Sequence, residues 1–221
     1  MKANGEKSLK AQNMKWLIAM AFADAAIVLL FVAPEVANRE TQYVAMLRGL
    51  ATSLVPVLIL LVVNVLPHDV KSMLVYWKPL GWLPGSEAFS KFGPRDPRID
   101  VKVLQKNVGV FPTDPTEQNS KWYRLYKMVG DQPEVVEAHK VYLMYRDMAV
   151  LSLPLIVLLP LGLFYADARA SALWISAGLL VVQYLLTAFS GRWAGIRFVT
   201  NVLAIHSAKK IKEPPAKAPA A

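Results

Sequence analysis

The residues best suited to acid–base or metal chemistry are three histidines, His68, His139 and His206. No two of them stand three or four apart, so no single helix face presents a ligand pair, and no HExxH occurs. They could meet only if folding brought distant segments together. The chain has no cysteine, which excludes disulfides, thiolate nucleophiles and cysteine-based zinc sites. A Walker-type phosphate loop, a GxGxxG fingerprint and a GxSxG elbow are all absent from the sequence. The sequence therefore assigns no catalytic residue, no metal ligand and no cofactor.

Two basic clusters could hold an anion. Arg95 and Arg98 flank Asp96 and Pro97, and paired guanidinium groups grip a phosphate bidentately. The competing reading is a salt-linked turn with Asp96 as a helix cap. Lys121, Arg124 and Lys127 interleave with Trp122, Tyr123 and Tyr126, a pattern able to stack and neutralise a nucleotide. The same spacing turns Trp122 and Tyr126 inward together. Packing alone explains that, with the cations snorkelling over an apolar stripe.

Four polar residues fall inside apolar runs: Asp24, Arg48, Asn64 and Gln183. An acid facing lipid at such depth costs about 2.5–3.5 kcal/mol. Asp24 is therefore expected to face the bundle interior, beside the small residues Ala19, Ala21, Ala23 and Ala25. Arg48 is its obvious partner, although helical rise leaves roughly 12 Å of height between them in a core of about 30 Å. Asn64 and Gln183 are alternatives that can bond between helices.

The elements that must position these groups are read from composition. The chain has 221 residues, 55% hydrophobic and only 19% charged, where a soluble domain carries about 45–50% and about 25%. The apolar excess is gathered into four runs, 16–33, 44–66, 148–166 and 170–190. Each is near the roughly 20 residues that cross a bilayer. The first run holds an acid and ends Phe31-Val32-Ala33-Pro34-Glu35, with no small-x-small pair, so it is not expected to be a cleaved signal. The formal charge is +9. Of the 25 Lys and Arg, 22 lie in 1–15, 67–147 and 191–221, while the two short outer loops hold only Arg39 and Arg169. Basic residues stay on the cytoplasmic side, so this bias accounts for the charge without nucleic acid.

The expected fold is an all-α membrane protein with four transmembrane helices in two hairpins, 16–66 and 148–190. It would be a multi-pass protein of the bacterial inner (plasma) membrane, with the N-terminal segment 1–15, the insert 67–147 and the tail 191–221 cytoplasmic. The insert is mainly helical. Ser86 could cap a turn over 87–92 stopped by Gly93, and Asp96-Pro97 could open a helix over 99–107. Asp114-Pro115-Thr116-Glu117 is a capping box that starts a helix ending near Gly130. From Pro133 no breaker appears before Pro154, which predicts one long helix running straight into the third span. Gly191 and Gly195 are expected to break the last helix. The segment beyond them reads as an amphipathic helix, on the inner leaflet or packed on the insert, before a disordered Pro-rich basic tail.

Four spans, a basic cytoplasmic insert and no catalytic signature make a layout similar to that of membrane effectors of bacterial anti-phage signalling systems. The likeness is one of layout, and no residue role is carried over with it. The functional expectation is a non-enzymatic sensor or effector, possessing a pore-like bundle coupled to its insert. The alternatives are an accessory subunit of a larger membrane complex, or a membrane enzyme acting on lipid or nucleotide. The expected partners are the lipid bilayer and either further copies of the chain or other subunits of a membrane complex.

Overall fold

The computed structural model describes residues 9–37, 65–79, 81–165, 168–209 and 211. Every regular element among them is helical. Helix α1 runs Leu9–Ala37 and α2 runs His68–Tyr76; a 3-10 turn (Pro84–Glu87), a π turn (Ala88–Phe92) and one α turn (Gly93–Arg95) then follow in direct succession. Helix α3 is Val101–Val108, α4 is Pro115–Val129, α5 is Pro133–Tyr165 and α6 is Ala170–Ala208. The run 44–66, expected as a second span, lies almost wholly outside the described residues.

Two of these helices, α5 and α6, are long and apolar enough to cross a membrane by length and composition. Their 33 and 39 residues correspond to about 50 Å and about 58 Å of helix. They run antiparallel, which sets Gln183 beside Ser152 and Gly191 beside Arg146. In their apolar halves, Val150, Leu151, Leu155, Leu159 and Leu163 of α5 pack with Leu180 of α6 and Ala21 of α1. The opposite faces expose Phe22, Val157, Phe164, Trp174, Ile175, Val182 and Leu186. A continuous apolar exterior is costly in water and ordinary in hydrocarbon.

The other halves of α5 and α6 form the centre of a polar domain. Val135, Ala138 and Tyr142 of α5 and Phe198, Val199, Val202 and Leu203 of α6 share one core with Trp122, Leu125 and Val129 of α4. Asp114 caps α4 as its spacing predicts, accepting from the Thr116 and Glu117 amides at 2.9 and 3.0 Å. Gln118 is buried because it holds the turns: its Oε1 accepts from the Phe89 amide, the Ser90 amide and the Ser90 hydroxyl, each at 3.1 Å. Trp122 donates its indole N–H to the Val199 carbonyl at 3.3 Å. The single helix predicted from Pro133 into the third apolar run is present as α5, and it passes both Pro154 and Pro160.

Three local expectations are corrected. Ser86 lies inside the 3-10 turn, where its hydroxyl accepts from the Leu83 amide, and Gly93 continues the helical path instead of stopping it. The cap of α3 is Asp100, which accepts from the Lys102 and Val103 amides. Asp96 binds Arg98 instead. Gly191 and Gly195 do not break α6, and the segment after them packs into the polar domain. These glycines permit close approach. A Cβ at 191 would stand 3.2 Å from Val75 and 3.3 Å from the Arg146 amide nitrogen, and one at 195 would overlap the Tyr76 hydroxyl.

That hydroxyl is buried and has no hydrogen-bond partner among the described residues. Gly195→Ala is therefore expected to destabilise the protein by about 1–3 kcal/mol, the usual cost of overpacking. Adding Tyr76→Phe should recover most of the loss. Thermal unfolding in mild detergent measures both; an unperturbed Gly195→Ala would mean that α2 does not press on α6 here.

Candidate functional site

Four helices, with Leu83 and Pro84 at the start of the 3-10 turn, line a cavity of about 420 Å³ in the polar domain. Asn119, Trp122, Tyr123, Tyr126 and Lys127 come from α4; His139, Tyr142, Leu143 and Arg146 come from α5; His68 and Ser72 come from α2; Phe198 comes from α6. These spacings of three and four are what a helix needs to present several residues on one side.

The aromatic wall is internally ordered. His139 stacks on Phe198 with ring centres 4.4 Å apart and planes 3° from parallel. Trp122 stacks on Tyr126 at 5.9 Å, and Phe198 meets both rings edge-on. The Tyr126 hydroxyl lies 3.2 Å from His139 Nδ1. Burial, followed by the nearby Arg146 charge, pushes the His139 imidazole down to about 4. It is therefore neutral near pH 7. The Tyr142 hydroxyl is pushed up by burial and lies 3.3 Å from Ser72 Oγ.

The floor is ionic. Arg146 is 4% exposed and Asp147 is 3% exposed. Asp147 Oδ1 accepts from Arg146 Nε at 3.0 Å, Arg146 Nη2 at 2.8 Å and Lys71 Nζ at 3.2 Å. Arg146 Nη1 faces His68 Nδ1 at 2.9 Å. A guanidinium only donates, so His68 Nδ1 accepts and its ring proton sits on Nε2. The arrangement suits binding. Lys127 contributes positive charge beside flat aromatic faces; Asp147, which answers Arg146 and Lys71, stands behind the lining, and no Asp or Glu is on it among the described residues. Among the described residues no group of three or more His, Asp or Glu could hold a metal ion.

A second polar site lies inside the apolar halves. Asp24 of α1 is 0% exposed. Gln183 of α6 donates from Nε2 to Asp24 Oδ1 at 2.5 Å and to Ser152 Oγ of α5 at 3.0 Å. One side chain from each helix thus meets at one point. Asp24 is buried between α1, α5 and α6, and Gln183 is a bonded partner. Arg48 and Asn64 lie outside the described residues.

The anion-binding candidates are dispersed. Lys127 lines the cavity. Lys121 donates to the Val110 carbonyl at 2.5 Å and lies over the Phe89 ring, and Arg124 is exposed. Arg98 is engaged by Asp96, Thr200 and Asn201, and with Arg95 it lines a different groove. The histidines divide. His68 and His139 share the cavity, whereas His206 donates from Nε2 to the Leu125 carbonyl at 3.0 Å and ties the end of α6 to α4. Sequence reasoning missed Arg146, Asp147, Lys71 and Tyr142. The spacing of His139, Tyr142 and Arg146 along one helix face was a usable signal.

If Gln183 holds Asp24, Gln183→Leu leaves a buried carboxyl oxygen without its donor, at a cost of about 1–3 kcal/mol. The expected result is a lower melting temperature and a lower cellular level. Both should recover in Asp24→Ala/Gln183→Leu, where neither polar group remains. Wild-type melting of Gln183→Leu would show that the bond carries no stability.

No protein-family model, no curated protein and no solved structure matches the chain, so the reading of its function rests on the geometry above.

Proposed function

We propose that the chain is a non-enzymatic, four-span protein of the bacterial inner membrane whose cytoplasmic domain senses a ligand and couples it to the transmembrane bundle. In this reading the 22-to-2 basic asymmetry sets both termini and the insert in the cytoplasm. The two helices that pass the membrane test supply two of the four spans. The ligand is an anion carrying a flat apolar group, suited to Lys127 and the aromatic wall. The bundle responds as an effector or pore-like element, within an assembly of like or other subunits.

The observation that carries this reading is that the cavity is built on the same two helices that are long and apolar enough to cross a membrane. Arg146 lies on its floor, and Ser152, on the same helix, holds the Asp24–Gln183 pair. Six residues separate the two, about 9 Å of helical rise. A packed, unbroken helix transmits a displacement over that distance instead of absorbing it. Of the apolar side chains between Trp77 and Phe111, Trp82, Phe89, Phe92 and Ile99 are buried within this chain and offer no surface to another subunit, while Trp77 and Val110 are exposed.

The absence of cysteine makes a direct test simple. Spin labels placed through Phe22→Cys and Val157→Cys, both exposed positions, report the spacing of α1 and α5. Leu143→Trp fills the cavity in place of a ligand. It is expected to shift that spacing by about 1–2 Å, the scale of helix shifts in switching proteins. Arg124→Trp, on an exposed surface, should leave it unchanged. An unchanged spacing in a folded Leu143→Trp protein would contradict the coupling.

A further inference from the structure

Where α6 leaves its apolar half, a groove of about 720 Å³ opens between that helix and the turns at 91–98. Two kinds of wall line it. Phe189, Trp193 and Ile196 of α6, with Phe92, give apolar surface. Lys91, Arg95, Arg98 and Arg192 give positive charge. Among the described residues the one acid on the lining, Asp96, is taken up by Arg98, with Nη2 and Nε at 2.7 and 3.0 Å from its carboxylate oxygens. That bond holds the Asp96 carboxyl down at about 2, so its charge is answered locally. Lys91 faces Glu87 at 3.2 Å. Arg95 and Arg192 have no acidic partner among the described residues.

Position adds to charge. Residues 189, 192, 193 and 196 form one helical face. On the bundle side it continues into the exposed Val182, Leu185 and Leu186. Trp193 is 67% exposed, in the place where an indole at a membrane–water boundary would stand. The face therefore changes from purely apolar to cationic along its length, as an amphiphile does from chain to head.

We propose that this groove binds the phosphate of an acidic inner-leaflet phospholipid through Arg95 and Arg192, with an acyl chain lying along Leu185, Phe189 and Trp193. The inference rests on the membrane reading above and adds a lipid to it. A bound lipid would bridge the turns of the polar domain to α6 at the boundary.

The test uses the full chain reconstituted in bilayers of phosphatidylcholine with phosphatidylglycerol. Spin-labelled forms of each lipid report their relative association with the protein. The expected preference for phosphatidylglycerol is about fivefold or more, since fivefold corresponds to roughly 1 kcal/mol, the contribution of a single interfacial cation. Arg95→Gln/Arg192→Gln should reduce it to near one, Arg95→Lys/Arg192→Lys should retain most of it, and Arg124→Gln should leave it intact. An incorporated protein with no preference, or a preference that survives the double Gln change, would overturn the groove as a lipid site. Displacement of the labelled lipid by inorganic phosphate at constant ionic strength would overturn it in favour of a soluble anion. Failure to incorporate into bilayers at all would overturn the membrane reading first, and the lipid site with it.

Discussion

Burying Asp147 between Arg146 and Lys71 sets conditions that much of the molecule has to meet. Each ion taken from water costs several kcal/mol, and only close pairing and filled hydrogen-bonding positions offset that cost. Here one carboxylate oxygen takes three donors, and the remaining guanidinium nitrogen is answered by His68. Lys71 and His68 both come from α2, so α2 must lie on α5. Gly191 of α6 stands against the Arg146 backbone with little room for a Cβ, so α6 closes on the cluster as well. The cluster sits one residue before the apolar run at 148–166 begins, at the seam between the two halves.

What lies on either side of that seam follows from the same two helices. Below it, α5 and α6 are the spine of a domain whose other elements are short and held by single buried groups such as Gln118 and Trp122. Above it, they enclose leucines and one polar point where α1 is fastened through Asp24. A change in the cavity and a change at Asp24 are therefore changes in the same rigid pair. This is the physical content of the proposed coupling, and it requires no movement within either helix.

The local parts of this architecture were legible in the sequence because they depend on neighbours a few residues apart. Asp114-Pro115 opening α4 and the unbroken course from Pro133 through the third run are of this kind. The same local logic misread Gly191 and Gly195. Glycine weakens a helix on its own, yet here it serves contacts with residues far away in sequence, Val75, Tyr76 and Arg146. Asp96 and Asp100 are each one step from a plausible cap, and what separates them is Arg98, held in place by Thr200 and Asn201 about a hundred residues later. The cavity was legible only in part: His139, Tyr142 and Arg146 share one helix face, but nothing near His68 announces that α2 joins that face through Lys71 and Asp147. Asp24 showed that it needed a partner, but spacing alone did not single out Gln183.

The central claim is that α5 and α6 cross a bilayer and open into a cytoplasmic domain. It is tested most directly by where single thiols can be reached. Arg169→Cys lies between the two helices and Arg124→Cys lies on the exposed face of α4; each would be the only cysteine in the chain. Cells with a permeabilised outer membrane are treated with an impermeant thiol reagent. The account predicts immediate labelling at 169, and labelling at 124 only after the inner membrane is lysed. Labelling of both sites in unlysed cells, or of 124 without 169, would contradict it.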